Sequence, residues 1–533
     1  MIPIAICDDE LLHARQTQAA IRRCEAQAVT RCFETPLALL AAVTQQGYAP
    51  RVAVLDIRMA GMDGIELAKR LNALVPGCAV IFLTAYLSYA PDVYETRHVY
   101  FVLKNELDRR IDSALRAALA EQKAGAMVVT RLDSVAWLLN LRASDIDCTP
   151  FALAFCFVTP DDAMLFMDAG RLPAEAAAAL GAQGVRVMDY EKLLGTLTGY
   201  HHDHTVLVDT AGTNWAIYTA LQSNPCFTLA EGCDPVQALK AVKNPTEIEN
   251  LKAAHAKDGV AMVRFAIWLE AELAAGRTVT EVDVEQILLK LRAAQELNQG
   301  ASFDTIAAYG ANAAMMHYHA TPGSCSALQP KGFLLVDSGA TYMDGTTDIT
   351  RTYALGELTE NERTYYTYVL KSHIDMAKLQ FLAGCTGGNL DIIARAPVWA
   401  HGIDYRCGTG HGVGFFGGVH EGPHNLRITN NVVFKPGMLV TDEPGIYEEG
   451  EVGIRIENEL VCVEREKNQY GQFLGFEAVT YCPIDLAPVR AELLDESEKA
   501  WLNAFHQTVY DTLAPRLTAP ERAWLAEKTK ALA

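Results

Sequence analysis

The feature that most restricts the fold is an alternation of short apolar runs with amphipathic stretches in the N-terminal part of the chain. The runs IPIAIC, VAVLDI, VIFLTA and VYFVLK are separated by helical patterns, and ELDRRIDSALRAAL closes the series. Short apolar strands between amphipathic segments are typical of a parallel sheet covered by helices on both faces. We therefore expect an α/β doubly wound parallel sheet at the N-terminus.

Polar residues follow the predicted strands where such a sheet places its binding sites. Asp8 and Asp9 come after the first strand, Asp56 after the third, Thr84 after the fourth and Lys104 after the fifth. Functional side chains in this architecture lie beyond the carboxyl ends of the strands. The five residues could be only the polar ends of buried strands, but their repeated placement favours a site.

Length and charge restrict the class of protein. At roughly 100–200 residues per domain, a chain of 533 residues holds two to four domains. The 45 basic and 65 acidic side chains give a net charge of −20, which argues against nucleic acid and anionic membranes as partners. No apolar run approaches the ~20 residues that cross a bilayer, and no cleavable leader is evident. Thirteen scattered cysteines without a CxxC pair suggest reduced thiols in a cytoplasmic protein.

Three domains are expected, at residues 1–124, 125–240 and 241–533. The middle one contains the hairpin-like stretch ALAFCFVTPDDAMLFMD and predicts a small α/β domain without a catalytic cluster. The third opens at Asn244, which can cap a helix that has Pro245 in its first position and Glu247 at its third.

A second helix start lies in the third segment. Thr359 and Glu362 have the spacing of a capping box, in which the two side chains satisfy each other's backbone N–H groups. A helix should therefore begin just after Thr359.

The third segment also concentrates acidic residues in distinctive motifs. FLLVDSGATYMDGTTDITRTY runs a strand into Asp337 and reaches Asp348, with glycines that permit a tight return between them. The motifs GTGHGVG, TDEPGIYEEG and GIRIENEL then supply His411, Glu443 and Glu457. Four carboxylates and one imidazole suit divalent ions such as Mn²⁺, and two ions need bridging carboxylates to offset their repulsion.

Each of these residues alone has an ordinary structural explanation. An Asx turn would account for Asp337 or Asp348, an exposed turn for Glu443, and a surface ion pair with Arg455 for Glu457. Their joint order, Asp, Asp, His, Glu, Glu, favours a metal site.

These motifs resemble the catalytic domain of the M24 metallopeptidases, and specifically three-domain Xaa-Pro aminopeptidases (aminopeptidase P). The resemblance rests on VDSGATYMDGTTDITRTY, GTGHGVGFFGGVHEGP, TDEPGIYEEGEVGIRIENE and GFEAVTYCPID, and extends back through VVTRLDSVAWLLNLRASDI. It implies an α+β pita-bread catalytic domain behind an α/β creatinase-N-like middle domain. It also implies that Asp337 and Asp348 bind one ion and His411 and Glu443 the other, while Asp348 and Glu457 bridge them.

The same resemblance implies roles in catalysis. Hydroxide activated by the two ions would attack, Glu443 would pass a proton to the leaving proline nitrogen, and His317 and His420 would hold the substrate carbonyl and the oxyanion. The two histidines could instead be structural imidazoles. Substrates would be peptides with proline in second position, cleaved by a homodimer. Cys407 departs from the family, since many relatives carry histidine there.

The N-terminal segment resembles a response-regulator receiver domain through ICDDE, VLDIRMAGMDGIELAKRL, IFLTAY and YFVLK. That resemblance implies that Asp56 accepts a phosphoryl group from a histidine kinase and that Asp8 and Asp9 hold Mg²⁺. Thr84 would sense the phosphoryl group and Lys104 would pair with it. Ala60 and Asn105 stand where the receiver family often has proline.

Other functions remain open at this stage. A prolidase uses the same ions but demands a dipeptide with a free carboxylate. A signalling protein with a receiver and a peptidase-like binding module would need a damaged metal site, whereas all five ligand positions are filled. A creatinase-like hydrolase lacks these ligands and is disfavoured.

Overall fold

The computed structural model describes residues 2–24, 28–59, 61–75, 77–84, 100–103 and 124–532. The chain divides into two compact units. The first comprises Met1–Arg131, Ala154–Asp234 and Lys467–Gly471, and the second comprises Leu132–Leu153, Pro235–Glu466 and Gln472–Ala533. The short segment Leu132–Leu153, which lies within the expected middle domain (125–240), belongs to the second unit.

The first unit begins with the parallel sheet that the alternating pattern predicts. Its strands are β1 (Ile2–Cys7), β2 (Ala28–Phe33), β3 (Val52–Asp56), β4 (Ala79–Thr84) and β5 (Tyr100–Leu103). They lie in the order β2-β1-β3-β4-β5, and every pair is parallel. The described helices are Leu11–Cys24, Pro36–Gln46 and Gly64–Leu74. The final helix expected over ELDRRIDSALRAAL, and with it Lys104, lies outside the described residues.

Both faces of this sheet are buried. Ile4, Ile6 and Val54 pack into one apolar cluster, whereas Ala5 and Leu55 pack into another on the opposite face. Successive side chains of a strand point to opposite faces, so two separate cores require helices on both sides. The doubly wound architecture is thus confirmed.

The first unit also contains a six-stranded mixed sheet. Its strands are β6 (Ala124–Val129), β7 (Phe155–Val158), β8 (Ala163–Met167), β9 (Val185–Asp189), β10 (His204–Val208) and β11 (Phe227–Glu231), in the order β11-β10-β6-β7-β8-β9. The expected hairpin is the antiparallel pair β7 and β8. The α-helices are Ala174–Ala182, Leu193–Thr198 and Trp215–Ser223, and short 3₁₀ turns cover Ala169–Arg171 and Tyr190–Lys192.

The second unit is α+β, with antiparallel sheets and long helices. Its helices are Leu132–Leu139, Pro235–Ala241, Pro245–Ala274, Glu281–Ala293, Glu360–Ala377, Gly387–Trp399, Glu496–Leu513 and Ala519–Lys528. Short 3₁₀ turns cover Gly310–Ala314, Ala491–Leu493 and Ala514–Arg516. Both predicted helix starts are confirmed, because Asn244 with Glu247 and Thr359 with Glu362 form capping boxes. No helix among the described residues is long and apolar enough to cross a membrane.

Four sheets complete this unit. Their strands are β12 (Asn298–Ala301), β13 (Ile306–Tyr309), β14 (Phe333–Ser338), β15 (Ala340–Tyr342), β16 (Gly345–Thr346), β17 (Ile349–Ala354), β18 (Gln380–Leu382), β19 (Gly410–Gly412), β20 (Glu421–Leu426), β21 (Leu439–Asp442), β22 (Gly445–Glu448), β23 (Val452–Arg455), β24 (Asn458–Asn468) and β25 (Gly471–Ala478). The orders are β12-β15-β16, β13-β14-β17, β18-β25-β24-β21-β19-β20 and β22-β23. The predicted acidic residues lie at or beside the ends of these strands.

Candidate metal centre

Asp337 and Asp348 are brought together by strand pairing. Asp337 is near the end of β14, and Asp348 immediately precedes β17, which pairs antiparallel with β14. A Cβ atom at Gly339 would lie 1.9 Å from the carbonyl oxygen of Thr347, so only glycine allows the chain to turn back this closely. Both carboxylates are buried.

His411 and Glu443 come from neighbouring strands of the six-stranded sheet. The N–H of Glu443 donates to the carbonyl of Thr409 at 2.7 Å, which fixes Glu443 beside the start of β19. The Thr441 hydroxyl accepts from the His411 backbone N–H at 3.0 Å and donates to the Glu443 carboxylate at 3.2 Å. One side chain thus orients both predicted ligands.

The imidazole of His411 turns its Nε2 nitrogen towards the acidic cluster. Its Nδ1 lies 2.9 Å from the Gly412 carbonyl, an acceptor, which assigns the ring proton to Nδ1. Its Nε2 lies 3.3 Å from Asp348 and 3.5 Å from Glu443. A lone pair that faces two carboxylates is unfavourable unless a cation or a second proton lies between them, so this orientation fits a metal ligand.

Glu457 completes the cluster from the loop between β23 and β24. Its N–H donates to the Thr350 carbonyl at 3.1 Å, and its carboxylate accepts from the Thr350 hydroxyl at 2.7 Å. Asp348, His411 and Glu457 each offer one ligand atom, and these atoms all lie within 4.8 Å of one another. This separation lets one cation contact all three side chains.

The electrostatics of the cluster also fit a cation. Burial raises the pKa of the Asp348 carboxyl well above its usual range, and repulsion by Asp337 and Glu443 adds to the shift. Burial and repulsion by Asp348 raise the pKa of Glu457 in the same way. One buried oxygen of Asp337 has no hydrogen-bond partner among the described residues. Divalent ions would compensate the negative charge of the carboxylates, and this oxygen could coordinate one of them. The residues therefore fit such ions.

Arg455 supplies the fixed counter-charge of the cluster. Its Nη2 donates to the Asp337 carboxylate at 2.5 Å, and its Nε donates to the Thr350 hydroxyl at 3.1 Å. The sequence offered Arg455 only as a surface partner for Glu457, whereas it is buried and pairs with Asp337.

Sequence reasoning missed a buried chain of side chains behind the ligands. The His373 Nδ1 lies 3.0 Å from the Asp442 carboxylate, and its Nε2 lies 3.0 Å from the Asn458 amide nitrogen. Arg351 donates to the other end of that amide at 2.7 Å, which fixes its orientation. Asp442 and Asn458 directly adjoin the predicted ligands Glu443 and Glu457, so His373 ties two ligand-bearing strands together.

Glu459 is a further buried carboxylate that the sequence did not single out. Its Oε1 accepts from the backbone N–H of Asp348 at 2.7 Å, and its Oε2 lies 3.3 Å from Nε2 of His255. Glu459 therefore holds the backbone of a predicted ligand rather than a cation. Its position two residues after Glu457 in the motif IENEL was the only available signal.

His420 and His317 are the two histidines predicted to bind the substrate carbonyl and the oxyanion. The ring of His420 meets the ring of His411 edge to face, with centroids 4.1 Å apart. Partial burial lowers the pKa of His420, and the neighbouring histidines His411 and His317 lower it further. His317 is exposed but near enough to affect His420. His420 is thus favoured as a neutral imidazole beside the acidic cluster.

Cys407 lies in the loop before His411 and is partly buried. Burial raises the pKa of its thiol to about 11, and the Glu443 carboxylate adds to the shift. A protonated thiol is a poor metal ligand and a slow nucleophile. This environment argues against ready oxidation of the Cys407 thiol.

A second acidic cluster lies at the carboxyl end of the parallel sheet. Ligand atoms of Asp8, Asp9 and Asp56 lie within 4.8 Å of one another. Asp8, Asp56 and Thr84 are buried, whereas Asp9 is exposed. A Cβ atom at Gly64 would lie 2.1 Å from the Asp56 carbonyl oxygen, so the start of the helix Gly64–Leu74 packs closely on the end of β3. The three carboxylates fit a hard cation such as Mg²⁺.

Four family descriptions match the chain. Residues 249–464 match metallopeptidase family M24, 472–532 the C-terminal region of that peptidase, 108–247 the creatinase/prolidase N-terminal domain, and 4–116 the response regulator receiver domain. A probable Xaa-Pro aminopeptidase P from Coprinopsis cinerea is 41% identical over 437 residues, which cover 78% of this chain and 70% of that protein. The chain belongs to the aminopeptidase P family.

Other aminopeptidase P relatives agree. Aminopeptidase P1 of Arabidopsis thaliana is 36% identical over 468 residues, covering 78% of this chain and 72% of that protein. The crystal structure of X-prolyl aminopeptidase from Caenorhabditis elegans, described as a cytosolic enzyme with a di-nuclear active site, superposes with a TM-score of 0.74 at 30% identity. It covers 95% of this chain and 86% of that one. The expected fold class, family and hydrolase class are therefore confirmed.

Proposed function

We propose that this chain removes the N-terminal residue of peptides that carry proline in second position, using two divalent cations. The observation that carries the proposal is the convergence of ligand atoms of Asp348, His411 and Glu457 within 4.8 Å. A buried oxygen of Asp337 that has no hydrogen-bond partner in the described part of the chain adds to it. The metallopeptidase family membership and the di-nuclear site described for the C. elegans relative support two ions.

The assignment of ligands follows the sequence resemblance and the observed placement. Asp337 and Asp348 would hold one ion, His411 and Glu443 the other, and Asp348 and Glu457 would bridge them. Carboxylates with one imidazole favour Mn²⁺ among the available ions. When bound, two such ions supply Lewis acidity and lower the pKa of water towards neutrality.

The side chains of the protein would then manage protons and the substrate carbonyl. The Glu443 carboxylate, oriented by the hydroxyl of Thr441, would carry a proton to the proline nitrogen as the bond breaks. His420 and His317 would donate hydrogen bonds to the carbonyl oxygen as negative charge develops there. Arg455 would keep Asp337 in place through its buried ion pair.

The decisive test compares Ala-Pro-Ala, Ala-Pro and Ala-Ala-Ala as substrates of the full chain. We expect rapid release of alanine from Ala-Pro-Ala alone, loss of activity after chelation and recovery on addition of Mn²⁺. Faster turnover of Ala-Pro would instead identify a prolidase. Activity that survives exhaustive chelation, or faster cleavage of Ala-Ala-Ala, would contradict the proposal.

The N-terminal sheet supports a second function, phosphoryl acceptance. Asp56 would accept the phosphoryl group from a histidine kinase, Asp8 and Asp9 would hold Mg²⁺, Thr84 would sense the phosphoryl group and Lys104 would pair with it. The clustering of Asp8, Asp9 and Asp56 at the carboxyl end of the sheet favours this reading.

Phosphorylation is tested with a small phosphodonor and Mg²⁺. The native chain should gain one phosphoryl group by intact mass, and Asp56→Asn should gain none. We expect the rate of Ala-Pro-Ala cleavage to be the same with and without the donor, because a receiver changes activity only where a partner surface distinguishes its two states. A several-fold change that depends on Asp56 would make the peptidase phosphorylation-gated.

We also propose three domains at residues 1–124, 125–240 and 241–533, a homodimer and a cytoplasmic location. Light scattering of the purified chain tests the dimer, since a monomeric mass would contradict it. Limited proteolysis tests the boundaries, and fractionation of the source cells tests the location.

A further inference from the structure

We infer that Arg142 is a positioning residue that holds the loop between His411 and His420 in the shape that presents the His420 ring. The inference rests on the proposed role of His420. Arg142 lies in the segment Leu132–Leu153, outside every motif that carries the metal centre.

The loop in question covers residues 413–420. Strands β19 and β20 pair with Gly412 opposite Glu421, so these residues form the connection and His420 lies at its last position. The loop is closed by a hydrogen bond from the Gly414 N–H to the Gly418 carbonyl at 3.0 Å. The buried hydroxyl of Thr346 bonds both the N–H and the carbonyl of Gly417, at 3.1 and 3.0 Å.

One residue of the loop has a strained backbone. Phe416 has a φ of +44°, in the left-handed region that non-glycine residues rarely adopt. Such a conformation is unfavourable and persists only where surrounding contacts enforce it. Contacts from neighbouring segments must therefore hold this part of the loop.

Arg142 supplies those contacts. Its Nε donates to the Phe416 carbonyl at 2.5 Å, and its Nη2 lies 3.4 Å from the Phe415 carbonyl. The guanidinium also lies 5.3 Å from the centre of the Phe416 ring, within the range of a cation–π contact. Two adjacent carbonyl groups and one aromatic face are thus held by a single planar group.

The remaining donors anchor the guanidinium to a helix end. Nη1 donates to the carbonyls of Ala136 at 2.6 Å and Leu141 at 3.2 Å, at the carboxyl end of the helix Leu132–Leu139. A positive charge is favoured there by the helix dipole. Arg142 therefore fastens the loop to a rigid element rather than to another mobile side chain.

The consequence for the site follows from chain connectivity. His420 is four residues after Phe416, and its ring packs edge to face on His411 at 4.1 Å. If Phe416 relaxed to an ordinary φ, the chain that follows would be redirected and the His420 ring would leave this position. A displacement of about 1 Å in a group that contacts substrate can cost about 100-fold in rate.

The test uses Arg142→Ala and Arg142→Lys in the full chain. Lysine keeps the charge but has one ammonium group and cannot reproduce the planar fork that joins two segments. We expect both variants to lose about 10- to 100-fold in kcat/KM on Ala-Pro-Ala, with unchanged metal content. Arg363→Ala, which removes an arginine that donates to the distant Val489 carbonyl, is the matched control and should be unaffected.

Two further measurements separate positioning from general damage. In a His420→Ala background, Arg142→Ala should cost less than threefold, because the group it positions is already absent. Chymotrypsin should cut at Phe415 and Phe416 at least fivefold faster in Arg142→Ala than in the native chain, and this readout holds even if the chain cleaves no X-Pro bond. An undiminished loss in the His420→Ala background, full activity of Arg142→Lys, or unchanged proteolysis would overturn the inference.

Discussion

Removal of one buried charge should stabilise the metal-free protein while it abolishes metal binding. Ligand atoms of Asp348 and Glu457 lie within 4.8 Å of each other. At this separation and an effective dielectric constant of about 20, two ionised carboxylates repel by roughly 3–4 kcal/mol. Asp348→Asn preserves the shape of the side chain and removes that repulsion. The native protein relieves part of this repulsion by binding a proton, so the gain from this one pair is smaller than that value.

The pH dependence of the stability of the metal-free protein tests the same unfavourable charge. The folded-state pKa of Asp348 and of Glu457 is raised above the ordinary value, mainly by burial. Stability from such groups is fully present below the unfolded-state pKa and is lost as pH rises through the folded-state pKa. The chelated native protein should therefore lose stability as pH rises from acid towards neutral. Asp348→Asn should reduce this slope, by up to about 1.4 kcal/mol per pH unit for one proton.

The assay is calorimetric unfolding of the full chain with excess chelator and then with Mn²⁺. Chelated Asp348→Asn should melt above the chelated native protein, whereas added Mn²⁺ should raise the melting temperature of the native protein only. Asp337→Asn is the matched control with the opposite sign, since it breaks the buried pair with Arg455 and should cost about 3–5 kcal/mol without metal. Chelated Asp348→Asn that melts below the native protein would refute the reasoning.

Three further outcomes are expected. His373→Phe should weaken Mn²⁺ binding about 10- to 100-fold in calorimetric titration, because it breaks the link between Asp442 and Asn458. The control His506→Phe, at a buried histidine that bonds Ile484, should leave the affinity unchanged. Equal affinities for both variants would argue against the link. Cys407 should react slowly with iodoacetamide at pH 7.5 and faster as pH approaches about 11, the pKa of its thiol. Rapid alkylation at neutral pH would contradict this assignment. His420→Ala should lower kcat/KM on Ala-Pro-Ala about 100-fold or more with unchanged metal content, and a loss of metal instead would make His420 a ligand.

The limits of sequence reasoning show most clearly around the metal cluster. The motif around Asp337 and Asp348 correctly predicted that these two residues are neighbours, because strand ends and tight glycine turns are encoded within a few residues. The pairing of Asp337 with Arg455 joins positions 118 residues apart. No local pattern specifies such a pair, since it depends on how β14 and β23 pack.

The sequence by itself determined the parallel sheet, the capped helices and the order of acidic motifs, since each of these depends on periodicity or on spacing within one element. Only the tertiary structure decided which polar residues support the site. Three of these residues, Glu459, His373 and Arg142, have ordinary sequence surroundings. Each acquires its role from a partner more than 60 residues away along the chain; Arg142 and Phe416, for example, are 274 positions apart. Buried polar groups must find hydrogen-bond partners wherever the fold places them. That requirement is satisfied in three dimensions and leaves no periodic signal along the chain.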